Sequence, residues 1–516
     1  MKSAGRIFLA VSMLFLARPL SATVRYRVSL KNPEQHSFHI SMEIPVGETD
    51  RDVIVALPAW NALYQVRDFA YRVYDVRAST PDSPTDRLAV EKLDKQTWKI
   101  TLSDGSSRSA VVNYEIGWND PGPFNSQLDA KHAFVNFAEV LMYVPNRRAE
   151  DTSVAFDDVP AGWKAAAELP LTPDSNSFSA ASYDVLVDAP AELGKFDEFG
   201  FDESGAYFKV VVDGKGWRRD RLENDLHRIA NYLTTMMGGP PFKEYTFFIR
   251  IGSYPEVGGG GMEHANCTAI SAPSVESAAT IAAHEFFHAW NVKRIRPQTL
   301  EPVDYTREMY TRALWFAEGV TSTYGAYTLE RIGLWDKNQF YADLAGQISE
   351  LDSRSAHSWQ SAEESSLDAW LEKYEAYNQP DRSISYYNKG QILGVLLDLS
   401  IREATDNHKS LDDVLRRMND VYAKQKRYYD DSHSVQAVAE EVAGVKLDDF
   451  FRRYVAGTDE IPYQNFFNAA GLELKVETQK SADFGFWTPG QGLPVIVSQV
   501  VPGASAEAAG LKAGDI

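Results

Sequence analysis

Between Thr23 and about Leu193, apolar side chains recur at every second position. Arg25-Tyr-Arg-Val-Ser-Leu30, Ser37-Phe-His-Ile-Ser-Met42 and Asp52-Val-Ile-Val-Ala-Leu57 all alternate in this way, the period of strands with one buried face. Turn-forming clusters such as Pro81-Asp-Ser-Pro84 and Asp120-Pro-Gly-Pro123 separate the runs. The pattern predicts an antiparallel β-domain over residues 23–195. Beyond it the period changes. Tyr207–Val212 and Tyr245–Ile251 read as strands, and between them Leu222, Leu226, Ile229 and Leu233 keep the 3.6-residue spacing of an amphipathic helix. Helical spacing dominates from Ser274 to about Phe466, with a polar stretch near 350–379. Strand-like segments return after Leu472.

A chain of 516 residues is too long for one ordinary core, so several domains are expected. Its formal charge of -20 makes contact with nucleic acid or an anionic membrane repulsive, which argues against nonspecific binding to either. The single cysteine, Cys267, excludes an intramolecular disulfide framework and any zinc site built on cysteines. At the start, Lys2 and Arg6 precede the apolar run Ile7–Leu16, and the small residues Ser21 and Ala22 follow. That is the layout of a secretory signal peptide over residues 1–22. It implies an exported protein, periplasmic or secreted, with no stable membrane insertion after cleavage, because the run is too short to span a bilayer.

The densest chemistry lies in His284-Glu285-Phe-Phe-His288. On a helix, positions i and i+4 share a face, so two imidazoles reach one ion, and the glutamate between them can take a proton from water. Ser274 or Ser277 can cap a helix through Ala278–Ala283, and Pro297 marks its limit. Ile281, Phe287 and Trp290 imply that this helix is buried, and buried histidines and acids need a partner such as a metal. Zinc in catalytic sites commonly takes two histidines, a glutamate and an open fourth position. Glu318, a lone acid within the apolar Ala313–Tyr324, is the best third ligand, because a cation offsets its burial. Glu301, Asp304 and Glu308 are nearer in sequence but sit in a polar stretch.

These residues carry a resemblance. His284-Glu-Phe-Phe-His-Ala-Trp-Asn-Val-Lys-Arg-Ile-Arg-Pro297 resembles the signature of the glycyl aminopeptidase family, gluzincin peptidases that carry a PDZ domain. Trp315-Phe-Ala-Glu-Gly-Val-Thr-Ser-Thr-Tyr324 is similar to its third-ligand segment, which implies Glu318. Ser385-Tyr-Tyr-Asn-Lys-Gly390 is similar to the segment that holds the catalytic tyrosine in membrane-alanyl-aminopeptidase-like enzymes. It implies Tyr387, with Tyr386 the neighbouring candidate. Gly258-Gly-Gly-Gly-Met-Glu-His264 resembles the Gly-x-Met-Glu-Asn loop of the same clan, with His264 in place of asparagine. Gly260, Gly261 and Met262 would then border an extended substrate, and Glu263 would pair with its α-ammonium.

The resemblance implies a thermolysin-like α/β catalytic domain over 196–335, a mostly helical part over 336–471, and Zn2+ as cofactor. It implies a substrate class of peptides with a free N-terminus, cleaved after glycine or alanine. Ala482–Phe486 and Pro494–Asp515 resemble the first half of a PDZ domain, so 472–516 is expected to be a truncated PDZ-like module. Two rival readings use the same residues: a zinc endopeptidase, and a peptide-binding quality-control protein working through the PDZ module. The intact metal motif argues against the second.

Overall fold

A computed structural model describes residues 23–477 apart from 62, 103–106 and 175, and beyond them 485–488, 495–497, 499–501 and 503–516. The expected signal peptide lies outside the described residues, as do Phe484 and Pro494 of the PDZ-like stretch. The chain divides into two compact units, Met1–Ile461 and Pro462–Ile516. In the second, Phe486–Trp487 pairs antiparallel with Gln499–Val500, and a short helix spans Ser505–Ala508.

The alternating runs form a nine-stranded sheet. Its order is Ser177–Ala180, Thr152–Asp157, Val24–Ser29, Ser37–Pro45, Ser109–Gly117, Val73–Thr80, Ser83–Lys92, Thr97–Thr101, Asp52–Ala56. Side chains along Val24–Ser29 switch between buried and exposed at each step, as the period requires. Phe38, Ile40, Met42, Val112 and Ile116 line the resulting core. One pairing departs from the antiparallel expectation: Val24–Ser29 runs parallel to Thr152–Asp157. The two strands are far apart in sequence, and a long connection is what parallel neighbours need. A second sheet orders Lys164–Ala167, Ala191–Gly194, His132–Val135 and Gln127–Leu128. His132–Val135 is buried at all four positions, so it has no alternation to betray it.

The next layer is a five-stranded sheet ordered Asp197–Glu203, Ala206–Gly214, Glu244–Ile251, Cys267–Ala272, Gly260–Glu263. Its three central strands are parallel. The helix Arg219–Met236 makes the first crossover and buries Leu222, Leu226, Ile229 and Leu233. The glycine-rich segment expected to be a loop is instead a strand: Gly260–Glu263 pairs antiparallel with Cys267–Ala272 at the sheet edge. Backbone ladder bonds hold it there although it lacks β-forming side chains.

The two layers are tied by a buried polar chain. Arg250 Nη2 donates to His132 Nε2 at 2.8 Å, and His132 Nδ1 lies 3.2 Å from Glu192 Oε1. The guanidinium belongs to the five-stranded sheet, the other two groups to the four-stranded one.

Among the buried acids, Glu139 is fully enclosed, with Arg67 Nη1 at 3.1 Å. Burial pushes its pKa up to about 7 despite Arg67. A carboxyl raised in the folded state contributes stability below about 4.5, its ordinary value, that is lost as pH rises through about 7. Glu139→Gln is therefore expected to flatten the fall in melting temperature between pH 4.5 and 7. Identical pH profiles for the two proteins would show that Glu139 titrates normally.

Candidate metal centre and peptide cleft

The helix Val275–Glu285 starts at Ser274, whose side chain accepts from Ser277 N–H, and delivers His284 and Glu285 at its last turn. The α-helix expected to run on through His288 instead tightens into a 3-10 turn, Phe287–Ala289, as helix ends often do. The end is fastened from outside. Arg294 Nη1 donates to the Ala289 carbonyl at 2.6 Å, so this cation caps orphan carbonyls at a helix C-terminus. Phe287 stacks on Tyr324 with ring centroids 4.5 Å apart.

Glu318 lies not on an α-helix but on a π-helical turn, Trp315–Val320, that runs into the helix Thr321–Arg331. Such wide turns leave carbonyls free, and they recur at functional sites. Here Asn291 Nδ2 takes up the Phe316 carbonyl at 2.8 Å and reaches Thr321 Oγ1 at 3.1 Å. The same residue's carbonyl lies 2.8 Å from His288 Nδ1. Asn291 thus orients one imidazole through its backbone and steadies the turn carrying Glu318 through its side chain.

The donor atoms converge. His288 Nε2 is 3.0 Å from His284 Nε2 and 3.2 Å from Glu318 Oε2, and His284 Nε2 is 3.8 Å from that oxygen. An ion bound at about 2.0–2.2 Å to three tetrahedral ligands would hold them about 3.3 Å apart, so the set fits zinc. With its Nδ1 proton donated to the Asn291 carbonyl, His288 would offer its Nε2 lone pair to a cation that takes the place of the second proton. Charge agrees with geometry. Burial alone would raise the Glu318 pKa, but the two imidazoles outweigh it and hold the carboxyl well below its usual range. Burial alone would lower His288, and Glu318 outweighs it, pushing the imidazole up to about 10. The pocket calls for a cation. Of the nearer acids, Glu301 is paired with Arg296 at 2.5 Å and Asp304 with Arg307 at 2.7 Å.

A cavity of about 140 Å³ opens in front of the donor atoms and is lined also by Gly261, Glu263, Glu285 and Tyr387. Glu285 is buried against Gly261, where any Cβ would overlap its side chain. Glu263 contributes to a second cluster, with ligand-type atoms of Glu285 and His288 within 4.8 Å. Met262 points into the core at 4% exposure, and Gly260, at φ +105°, faces Phe124. Tyr387 is 6.3 Å from His284 between ring centroids and lines the cavity. Tyr386 is buried beside it and does not line the cavity.

Tyr387 is aimed by a backbone-to-backbone contact. The helix Tyr386–Ala404 crosses the π turn where Gly319 meets Gly390; a Cβ on Gly390 would stand 2.8 Å from the Gly319 Cα and 3.0 Å from the Trp315 carbonyl carbon. Only glycine permits that approach.

Sequence reasoning missed part of the wall. Tyr64, from the N-terminal β-domain, lies with its hydroxyl 3.4 Å from Glu318 Oε1. Asn61 and Lys293 line the same cavity. Lys293 Nζ is 2.8 Å from Asp188 Oδ1; burial would raise that acid, but Lys293 and His264 hold it well below the usual range. Lys293 stands in the stretch His284–Pro297, but its charge alone names no role there. Nothing in the sequence pointed to Asn61 or Tyr64.

Two family models match this chain: M61 glycyl aminopeptidase over residues 277–393 and the peptidase M61 N-terminal domain over 25–195. It carries both M61 domains. The first match contains His284, Glu285, His288, Glu318 and Tyr387, and the second contains Asn61 and Tyr64; Glu263 falls between them. The M61 matches support a metallo-aminopeptidase. Among solved structures, an aminopeptidase N family protein from Idiomarina loihiensis is similar at a TM-score of 0.86 and 24% identity, covering 95% of this chain and 88% of that one. An M1 zinc metallopeptidase from Deinococcus radiodurans is similar at 0.51 and 14%, covering 86% and 95%. At these identities the likeness is one of fold. None of the curated proteins matches the chain. Among the described residues, no helix is long and apolar enough to cross a membrane.

Gly390→Ala should force the two segments apart, lowering stability by about 1–3 kcal/mol, the cost of overpacking. Denaturant unfolding checks this; an unchanged midpoint would show that the crossing has slack.

Proposed function

We propose that this chain is an exported zinc aminopeptidase that releases glycine or alanine from the N-terminus of peptides. The observation that carries the reading is the convergence of His284, His288 and Glu318 on one point of a cavity that Glu285, Glu263 and Tyr387 also line. Two imidazoles and one carboxylate facing open space suit catalytic zinc better than the all-oxygen sites of calcium or magnesium.

When bound, zinc supplies Lewis acidity, polarising the substrate carbonyl and lowering the pKa of water. Glu285 takes the proton of the attacking water and passes it to the leaving amine. Burial pushes its carboxyl up to about 8, which makes the ionised form a stronger base than an exposed carboxylate. Burial keeps Tyr387 well above the usual phenol range, so it stays protonated and donates to the oxyanion. Glu263 pairs with the substrate α-ammonium. The small cavity supports a small first residue. A structurally similar M1 zinc metallopeptidase mutant, solved bound to a Tyr-Ser-Ala substrate, supports short peptides as the substrate class. The basic start and apolar run of residues 1–22 support export.

The purified protein should hold about one zinc per chain, lost on chelation. Glu318→Ala should lower zinc occupancy, whereas Glu285→Gln should keep zinc and lose at least about 100-fold in kcat. A metal-free, chelator-insensitive peptidase would sink the assignment. Selectivity is tested by N-acetylation: Gly- and Ala-initiated peptides should be cut and their acetylated forms spared. Glu263→Ala should cost free-amine peptides about tenfold or more in kcat/KM with zinc unchanged. Comparable internal cleavage of acetylated peptides would make the chain an endopeptidase.

A further inference from the structure

The loop that the N-terminal β-domain sends into the cavity is held from several sides. Trp60 Nε1 donates to the Asp304 carbonyl at 2.8 Å, and its ring meets Trp370 edge-on at 5.1 Å. Tyr64 packs on the same Trp370 ring at 6.1 Å, and Lys373 Nζ donates to the Val66 carbonyl at 3.0 Å. Arg67 and Asp68 N–H both donate to the Ala59 carbonyl, closing the loop's base. Leu63 and Tyr64 adopt φ of +62° and +48°, left-handed values that side chains accept only under constraint.

Amid these contacts, one group is left unmatched. Both ends of the Asn61 carboxamide, Oδ1 and Nδ2, are buried and without a hydrogen-bond partner among the described residues, and Asn61 lines the cavity. Burying an amide with neither end paired is unfavourable, so such a group in a folded protein calls for an explanation. The cavity's charged groups already have roles or partners: Glu318 with the histidines, Glu285 beside Gly261, Lys293 with Asp188. Asn61 is a carboxamide whose neutral donor and neutral acceptor lie side by side, the complement of a peptide unit, which carries one of each.

We propose that Asn61 binds the main chain of the peptide substrate, pairing with the peptide unit that follows the scissile bond. The inference rests on the peptidase reading above. In that reading the α-ammonium goes to Glu263 and the scissile carbonyl to the metal centre and Tyr387. The next peptide unit is then the first main-chain group without a partner. Asn61 makes the N-terminal β-domain a determinant of substrate length: a ligand lacking a second peptide unit gains nothing from it.

The test reads binding rather than turnover. Zinc-loaded Glu285→Gln protein is titrated calorimetrically with Gly-Ala-Ala, and with the depsipeptide in which an ester replaces the amide between its second and third residues. The ester removes the N–H that would donate to Asn61 Oδ1. It should weaken binding about tenfold. In the Glu285→Gln, Asn61→Ala double variant, the tripeptide should bind about tenfold more weakly and the ester should cost less than about twofold more. Asn61→Asp in the same background keeps an acceptor of the same shape and should retain the ester penalty, which guards against a folding defect in the alanine variant. An ester penalty that is equal with and without Asn61, or tripeptide binding indifferent to Asn61→Ala, overturns the proposal. So does failure of zinc-loaded Glu285→Gln to bind the tripeptide. Whether the wild-type protein cleaves Gly-initiated peptides is read separately, so loss of this contact and loss of the peptidase reading give different results.

Discussion

A carboxylate enclosed to 3% exposure between two imidazoles is the constraint around which the rest of this site is arranged. Removed from water, the charge of Glu318 needs a cation within a few ångströms. The fold makes that demand costly to evade, because the acid cannot turn away. Its π turn is gripped by Asn291 on one side and crossed by the helix of Gly390 on the other. The histidines are similarly fixed, His288 through Asn291 and the preceding helix by its Ser274 cap. Ligand orientation through outer contacts of this kind is how proteins set metal geometry.

The same economy of movement applies to the substrate side. Gly261 must be glycine because Glu285 occupies the place of its Cβ, and Gly319 and Gly390 must be glycine because two backbones touch there. These residues look like flexibility in the sequence and act as close contact in the structure. The edge strand Gly260–Glu263 makes the point most plainly: its glycines admit a neighbouring carboxylate, while the ladder to Cys267–Ala272 keeps it straight.

How much of this was legible follows from which forces are local. Strand alternation in Val24–Ser29 and helical spacing at Leu222, Leu226, Ile229 and Leu233 report one-sided burial, so both elements were readable. His284, Glu285 and His288 were readable because ligand spacing is written within five residues. Glu318 could be picked out as an acid in apolar company, but its π turn could not, since the wide turn depends on Asn291 reaching it from another segment. His132–Val135, buried on both faces, has no period to read. Asn61 and Tyr64 were illegible for the simplest reason: the cavity they line is built mostly from residues more than 200 positions away, and nothing in Trp60-Asn-Ala-Leu-Tyr64 is unusual on its own.

The wall of the cavity draws on residues from Trp60 to Tyr387, and this has a consequence for the timing of assembly. A chain emerging from the ribosome has no such pocket until Tyr387 has been made, because it is the last of these residues to appear. Even then the Trp60–Tyr64 loop must be brought against Glu318 and Trp370. The cavity thus waits on segments far apart in the chain, and a partly synthesised or half-docked chain contains its ingredients without an enclosed place for them.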